Sequence, residues 1–128
     1  MADTIRPFRD LRVYQSGMTA ILEIFQRSKR FPNEEKYALT DQIRRSSRSV
    51  CANIAEAWRK RRYPLAFVAK LSDAEAEAAE SQVGLEVAHK SGYLSPEEFD
   101  DLDSQYENIL GMLVKMAADP SKWTIEPK

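Results

Sequence analysis

A chain of 128 residues with 43% hydrophobic and 30% charged side chains is long enough for one core and too apolar for a disordered segment. Four glycines leave few breaks for a many-stranded β fold, and the lone cysteine, Cys51, excludes an intramolecular disulfide and a zinc site of the Cys/His type. The net charge is −1, no apolar core marks the N-terminal MADTIRPFRD, and no run of about 18 apolar residues appears, so neither a signal peptide nor a membrane span is expected and a reducing cytoplasm is.

Leu11, Tyr14, Met18, Ile21 and Phe25 recur at alternating steps of three and four, which predicts a first helix over residues 8–30 with Val13 and Leu22 widening its seam. Asp10 in its first turn and Arg27, Lys29 and Arg30 in its last suit the helix dipole, and Phe31-Pro32 breaks it. Asn33 is the expected N-cap of a second helix over 33–62, with Glu34 and Glu35 in the first turn. Its buried stripe is Leu39, Ile43, Val50, Ile54 and Ala57 or Trp58. Arg61 falls under that stripe and Tyr63 precedes Pro64, so the helix is expected to leave the bundle or end around 60–63.

Pro64 opens a third helix over 64–91 whose seam is Phe67, Leu71, Ala74, Ala78, Leu85 and Ala88, interrupted by Ser81 and Gln82. Gly92 reads as its C′ residue. Ser95-Pro96-Glu97-Glu98 is a capping box for a fourth helix over 95–118 that buries Phe99, Leu102, Tyr106, Ile109, Leu113 and Met116. Asp119-Pro120 stops it, leaving an irregular tail over 119–128 from which Trp123 is expected to dock back. The expected fold is all-α: one antiparallel up-down four-helix bundle domain spanning 1–128.

The charge is unevenly distributed. Residues 1–63 carry fourteen Lys/Arg against seven Asp/Glu, and residues 64–128 carry five against thirteen. Within Gln42–Tyr63 stand seven cations, Arg44, Arg45, Arg48, Arg59, Lys60, Arg61 and Arg62, and one acid, Glu56. At 100° per residue Arg44, Arg45, Arg48, Arg59 and Arg62 fall on or near the face opposite the buried stripe. These seven residues are the candidate nucleic-acid contacts, with Trp58 or Tyr63 available to stack on bases. The mid-helix arginines are the stronger candidates, because the helix C-terminus by itself favours cations at 59–62.

Catalytic and cofactor chemistry finds little support. Glu86 and His89 have the E-x-x-H spacing of di-iron bundles, but such a site needs two copies and the chain has one histidine. His89 therefore reads as a structural residue beside the Gly92 turn. Asp73, Glu77 and Glu80 share a flank that reads as solvated or ion-paired, and Cys51 among small apolar neighbours reads as an inert buried thiol. No phosphate-loop, dinucleotide or zincin motif occurs, so no catalytic residue, metal or cofactor is expected. Gln42, Ser46, Asn53 and Gln82 fall at or beside core-facing positions, where they are expected to hydrogen-bond across helices or a subunit boundary, or to be partly exposed.

The order and spacing of several pieces resemble a known family. These are Phe31-Pro32 with Glu35, Tyr37 and Leu39; Gln42-Ile43-Arg44-Arg45-Ser46; Ser49 with Asn53-Ile54-Ala55-Glu56; Glu80; and Gly92-Tyr93-Leu94, together covering about residues 8–118. The chain resembles the four-helix bundle proteins encoded in intervening sequences of bacterial 23S rRNA genes, a family that includes the accessory variability proteins of diversity-generating retroelements. That resemblance implies a homo-oligomer, a pentameric ring, without enzymatic activity. In the retroelement members it implies partnership with a reverse transcriptase and nucleic acid. Ala57 stands where the family usually has glycine, which favours an unbroken second helix. Gly84 stands where a larger residue is frequent, which removes a side chain for packing across an interface.

Two functions follow as expectations. One is a non-catalytic oligomer that binds RNA or DNA through the seven cations. The other is an assembly module whose arginine face docks on an acidic partner surface, with Trp58, Tyr63 or Trp123 as apolar anchors.

Overall fold

The computed structural model describes residues 7–125. Residues 1–6, within the stretch read as lacking a signal peptide, and 126–128 of the expected irregular tail lie outside that range. Four helices, α1 (Arg12–Ser28), α2 (Leu39–Arg59), α3 (Pro64–Lys90) and α4 (Pro96–Ala118), form a four-helix bundle. Among the described residues there is no strand, and no helix is long and apolar enough to cross a membrane. α2 and α3 pack on each other, α4 packs on α3, and α1 packs on α2 and α4.

Two helix starts differ from expectation. α1 begins at Arg12 because Phe8–Asp10 is a 3-10 turn and Leu11 is extended, with φ −68° and ψ 131°. The extended backbone drops Leu11 into the core at 3% exposure and sets Phe8 edge-on to Tyr14, ring centroids 5.0 Å apart. α2 begins at Leu39, because Asn33–Glu35 forms a separate 3-10 turn and the Asn33 side chain caps nothing. Glu35 takes over that role. One carboxylate oxygen accepts from the Leu39 N–H at 3.3 Å and the other from the Tyr93 hydroxyl at 3.0 Å.

The remaining boundaries follow the sequence. α2 runs unbroken past Ala57, and Pro64 is the first residue of α3. Gly92, at φ +85°, ends α3 in a Schellman turn, with the Tyr93 N–H donating to Ala88 O at 2.8 Å and the Gly92 N–H to His89 O at 3.0 Å. Beyond α4, Pro120–Lys122 is a 3-10 turn where irregular backbone was expected, and it brings Trp123 edge-on to Trp58, centroids 6.2 Å apart. The Ile125 N–H then donates to Arg61 O at 3.0 Å, tying the tail to the α2–α3 turn.

The α4 capping box is complete: the Glu98 N–H donates to Ser95 Oγ at 3.1 Å and Glu98 Oε1 accepts from the Ser95 N–H at 2.8 Å. The second oxygen of Glu98 accepts from both Arg27 and Arg30 at 2.7 Å, so one carboxylate joins the end of α1 to the start of α4. These bonds, first that from Ser95 and then those from the arginines, hold the Glu98 carboxyl below its ordinary value of 4.5. A depressed folded-state pKa stabilises the fold above the unfolded value, and that contribution fades as pH falls through the folded one. Glu98→Gln is therefore expected to melt lower than wild type at pH 7, with the gap closing as pH falls below about 4.5. Thermal unfolding by circular dichroism across a pH series reads this; a gap constant with pH would show that the carboxylate charge contributes nothing.

The core seams of α2, α3 and α4 are as read, with Phe67, Leu71, Leu85, Leu102, Ile109 and Leu113 at most 1% exposed, except that Phe99 at the start of α4 is half-buried. The α1 seam is rotated. It buries Val13, Gly17, Ala20, Ile21 and Ile24, whereas Tyr14, Met18 and Phe25 are half-buried and Leu22 is 59% exposed. Small residues let α1 approach α2 closely: a Cβ added to Gly17 would sit 2.7 Å from Cys51 Sγ. Gly84 plays a similar part between α3 and α2, where an added Cβ would meet Ile43 at 3.3 Å. Its missing side chain is thus accounted for within one chain.

The polar core residues divide. Ser46 and Ser81 share a hydrogen bond across α2 and α3 at 2.8 Å, and Gln82 donates across to Asp103 and Glu107 of α4 at 3.2 and 2.7 Å. Asn53 bonds back to Ser49 within its own helix, and Gln42 is exposed. The fully buried Tyr106 hydroxyl stands near Ser47 and Ser81 without a hydrogen bond in good geometry. Burial pushes its pKa up. Because an unsatisfied buried hydroxyl costs about 1–3 kcal/mol, Tyr106→Phe is expected to leave stability unchanged or raise it by about 1 kcal/mol in urea unfolding. A loss above about 1 kcal/mol would show the hydroxyl to be satisfied in solution.

Candidate nucleic-acid interface

α2 presents the basic residues as a rigid rod with its buried stripe on Ile43, Val50 and Ile54. Taking Ile43 as the reference direction, Arg45, Arg48 and Arg59 fall roughly opposite the core, and Arg48 and Arg59 lie about 20° from each other. Both are exposed, as are Arg45, Lys60 and Arg62. Arg48 and Arg59, eleven residues apart on one helix, stand about 16 Å from each other along its axis. Asp41 and Glu56 share this face, but Asp41 pairs with Arg45 at 3.9 Å and Glu56 with Lys70 of α3 at 3.1 Å. Arg48, Arg59, Lys60 and Arg62 make no ion pair among the described residues.

Two of the seven candidate cations are committed to the fold. Arg44 lies only about 100° from Ile43, on the flank facing α1. Its Nε donates to Ser28 Oγ at 2.8 Å, and its guanidinium stacks over Phe25 at 4.7 Å. It closes the end of α1 rather than facing solvent. Arg61 turns back on α2: its Nε donates to Trp58 O at 2.8 Å and its guanidinium covers the Trp58 ring at 3.9 Å. Burial, and then the charge of Arg59, lowers the Arg61 pKa.

That arrangement also removes Trp58 as a stacking platform. Its ring is 5% exposed, with Arg61 on it and Trp123 at its edge. Tyr63 is 64% exposed beside Arg62, and Leu65, at 88%, stands next to it. The α3 seam begins at Phe67, and Leu65, two residues earlier, falls on the opposite side of the helix. The accessible surface is therefore Arg45, Arg48, Arg59, Lys60 and Arg62 along α2 and its turn, with Tyr63 at the end.

Among the described residues no group of three or more His, Cys, Asp or Glu is placed to hold a metal ion. His89 stacks on Phe99, centroids 5.0 Å apart, with Nδ1 3.2 Å from Leu94 O. The buried Cys51 thiol is pushed up to about 12 by desolvation, which keeps it protonated and unreactive at neutral pH. Asp73 pairs with Lys70 at 3.8 Å.

Residues 9–115 match the model of the 23S rRNA-intervening sequence protein family. The chain belongs to that family. A similar solved structure is the crystal structure of a protein with unknown function from the S23 ribosomal protein family of Bacteroides thetaiotaomicron. It aligns at a TM-score of 0.75 and 27% identity over 83% of this chain and 95% of that one. No curated protein matches. The match takes in α1, α2, α3, α4 as far as residue 115, and the whole basic stretch over 44–62.

Proposed function

We propose that this intervening-sequence protein is a non-catalytic, oligomeric nucleic-acid-binding accessory protein. The observation that carries the reading is the face of α2 on which Arg48 and Arg59, without an ion pair among the described residues, stand about 16 Å apart, extended by Arg45, Lys60 and Arg62. Phosphates are its natural complement, because each contact releases condensed counterions. Exposed Tyr63 adds a ring at the end of the row. The contacts of one protomer are few, and a ring of copies multiplies them by avidity. The family's name ties it to an rRNA gene insertion and the neighbour's to a ribosomal protein family, so RNA is the first ligand to test. Light scattering of the purified protein with and without single-stranded RNA should give a multiple of the 14.7 kDa chain mass that rises when RNA is added. A monomer that leaves RNA free overturns the reading.

One observation favours a protein surface instead. In a groove between α2 and α3 lined by Glu35, Glu80, Val83 and Val87, the two valines are 60% and 45% exposed. An acidic rim around an apolar strip suits the arginine face of another copy, with the valines supplying affinity that surface ion pairs at about 0–1 kcal/mol cannot. An oligomer mass unchanged by Arg45→Glu with Arg48→Glu removes this alternative.

A further inference from the structure

At the end of the bundle where α1 starts and α4 stops, a groove of about 630 Å³ opens between the two helices and the Trp123 turn. Its floor is Leu11, Val13 and Met116, each at most 5% exposed, and its walls are the half-buried Met112 and Trp123. Arg12, Lys115 and Lys122 stand on the rim with one acid, Asp119. All three cations are exposed, and none makes an ion pair among the described residues. The groove draws nothing from α2, so it is separate from the arginine face.

Its size lies within the range of small-molecule sites, about 300–1,000 Å³, and its lining has their usual form of apolar walls and a few convergent polar groups. Two methionines give a wall that adapts to a flexible chain. The rim fixes the sign of the head group. Three cations against one carboxylate favour an anion, and the Arg12 guanidinium offers the planar fork that matches a carboxylate.

We propose that this groove binds a small amphipathic anion, an aliphatic carboxylate with its chain along Met112, Met116 and Trp123 and its head at Arg12 and Lys115. A chain in this position changes the surroundings of the Trp123 ring, which already packs on Trp58, 6.2 Å between centroids, and has the Lys122 ammonium 5.6 Å from its centre. Indole fluorescence therefore reports binding directly.

The test is titration of the full-length protein with decanoate, decanol and decylamine, below their micelle-forming concentrations, by tryptophan fluorescence and calorimetry. Decanoate is expected to saturate with a blue shift, decanol to bind about tenfold more weakly, and decylamine not to bind. Arg12→Glu with Lys115→Glu is expected to lose at least tenfold in decanoate affinity while keeping helix content by circular dichroism. Met112→Trp, which fills the wall and leaves the rim intact, is expected to block all three ligands. Equal binding of decanoate and decylamine, or decanoate affinity unmoved by the rim variant, overturns the proposal. So does a wild type that binds none of them while Met112→Glu lowers the assembly mass, because the groove is then covered by a second copy.

Discussion

Gly17→Leu is expected to destabilise the protein by about 3 kcal/mol or more, the upper range for overpacking a filled core. Even the first carbon of a side chain there would lie 2.7 Å from Cys51 Sγ. The sulfur has little room to retreat, being 4% exposed and lodged 3.7 Å from Tyr14 O. Gly17→Ala separates the collision from ordinary helix propensity. In the wild-type background the clash, about 1–3 kcal/mol, outweighs the gain of up to about 1 kcal/mol that alanine has over glycine in a helix. In a Cys51→Ala background the sulfur is gone, and the same substitution is expected to be neutral or stabilising. Urea unfolding of the four proteins gives a coupling energy of about 1–3 kcal/mol. A coupling near zero would mean that the helices can move apart and that glycine serves no close approach.

The second large effect concerns the α2 face. Simultaneous Arg45→Glu, Arg48→Glu and Arg59→Glu is expected to weaken RNA binding by about a hundredfold or more, since on the proposed reading three phosphate contacts become repulsive in each copy. All three side chains are exposed and, among the described residues, the only ion pair lost is that of Arg45 with Asp41 at 3.9 Å, so the melting temperature should hardly move. Arg44→Glu is the contrasting variant. It removes the bond to Ser28 and the contact with Phe25, so it should lower stability first. Retention of RNA affinity in the triple variant would rule this face out.

The sequence makes the fold legible where side-chain size and burial coincide. The apolar steps of α2 and α4, the capping box at Ser95, and Gly92 all mark their elements because each has one dominant physical role. α1 is misread by a rotation for a definite reason. A hydrophobic pattern weights Tyr14, Met18 and Phe25 above Gly17 and Ala20, yet close helix packing selects the small residues for the contact. Leu22 then stays at the surface. The start of α2 is obscured because Glu35, four residues before Leu39, acts as the cap while Asn33 only resembles one.

The candidate site was legible as a direction and illegible as a set of contacts. Helical angle places Arg45, Arg48 and Arg59 away from the core, and there they are. It cannot show that a long guanidinium on the flank folds back, as Arg44 does onto Phe25 and Arg61 onto Trp58. Those two contacts are tertiary, and the second closes Trp58 to any base. The end groove lay beyond sequence reading altogether. Its residues come from the start of α1, the end of α4 and the Trp123 turn, brought together only by the packing of the bundle.

The salt dependence of RNA binding tests the role of the α2 face most directly. On the proposed reading, five exposed cations, each meeting one phosphate of a single strand, give a slope of log affinity against log salt of about −3 to −4 per chain. The triple arginine variant should flatten that slope by about two, at about 0.7 per contact removed. Binding that is absent at low salt, or that holds constant as salt rises, would contradict a phosphate-reading role for α2.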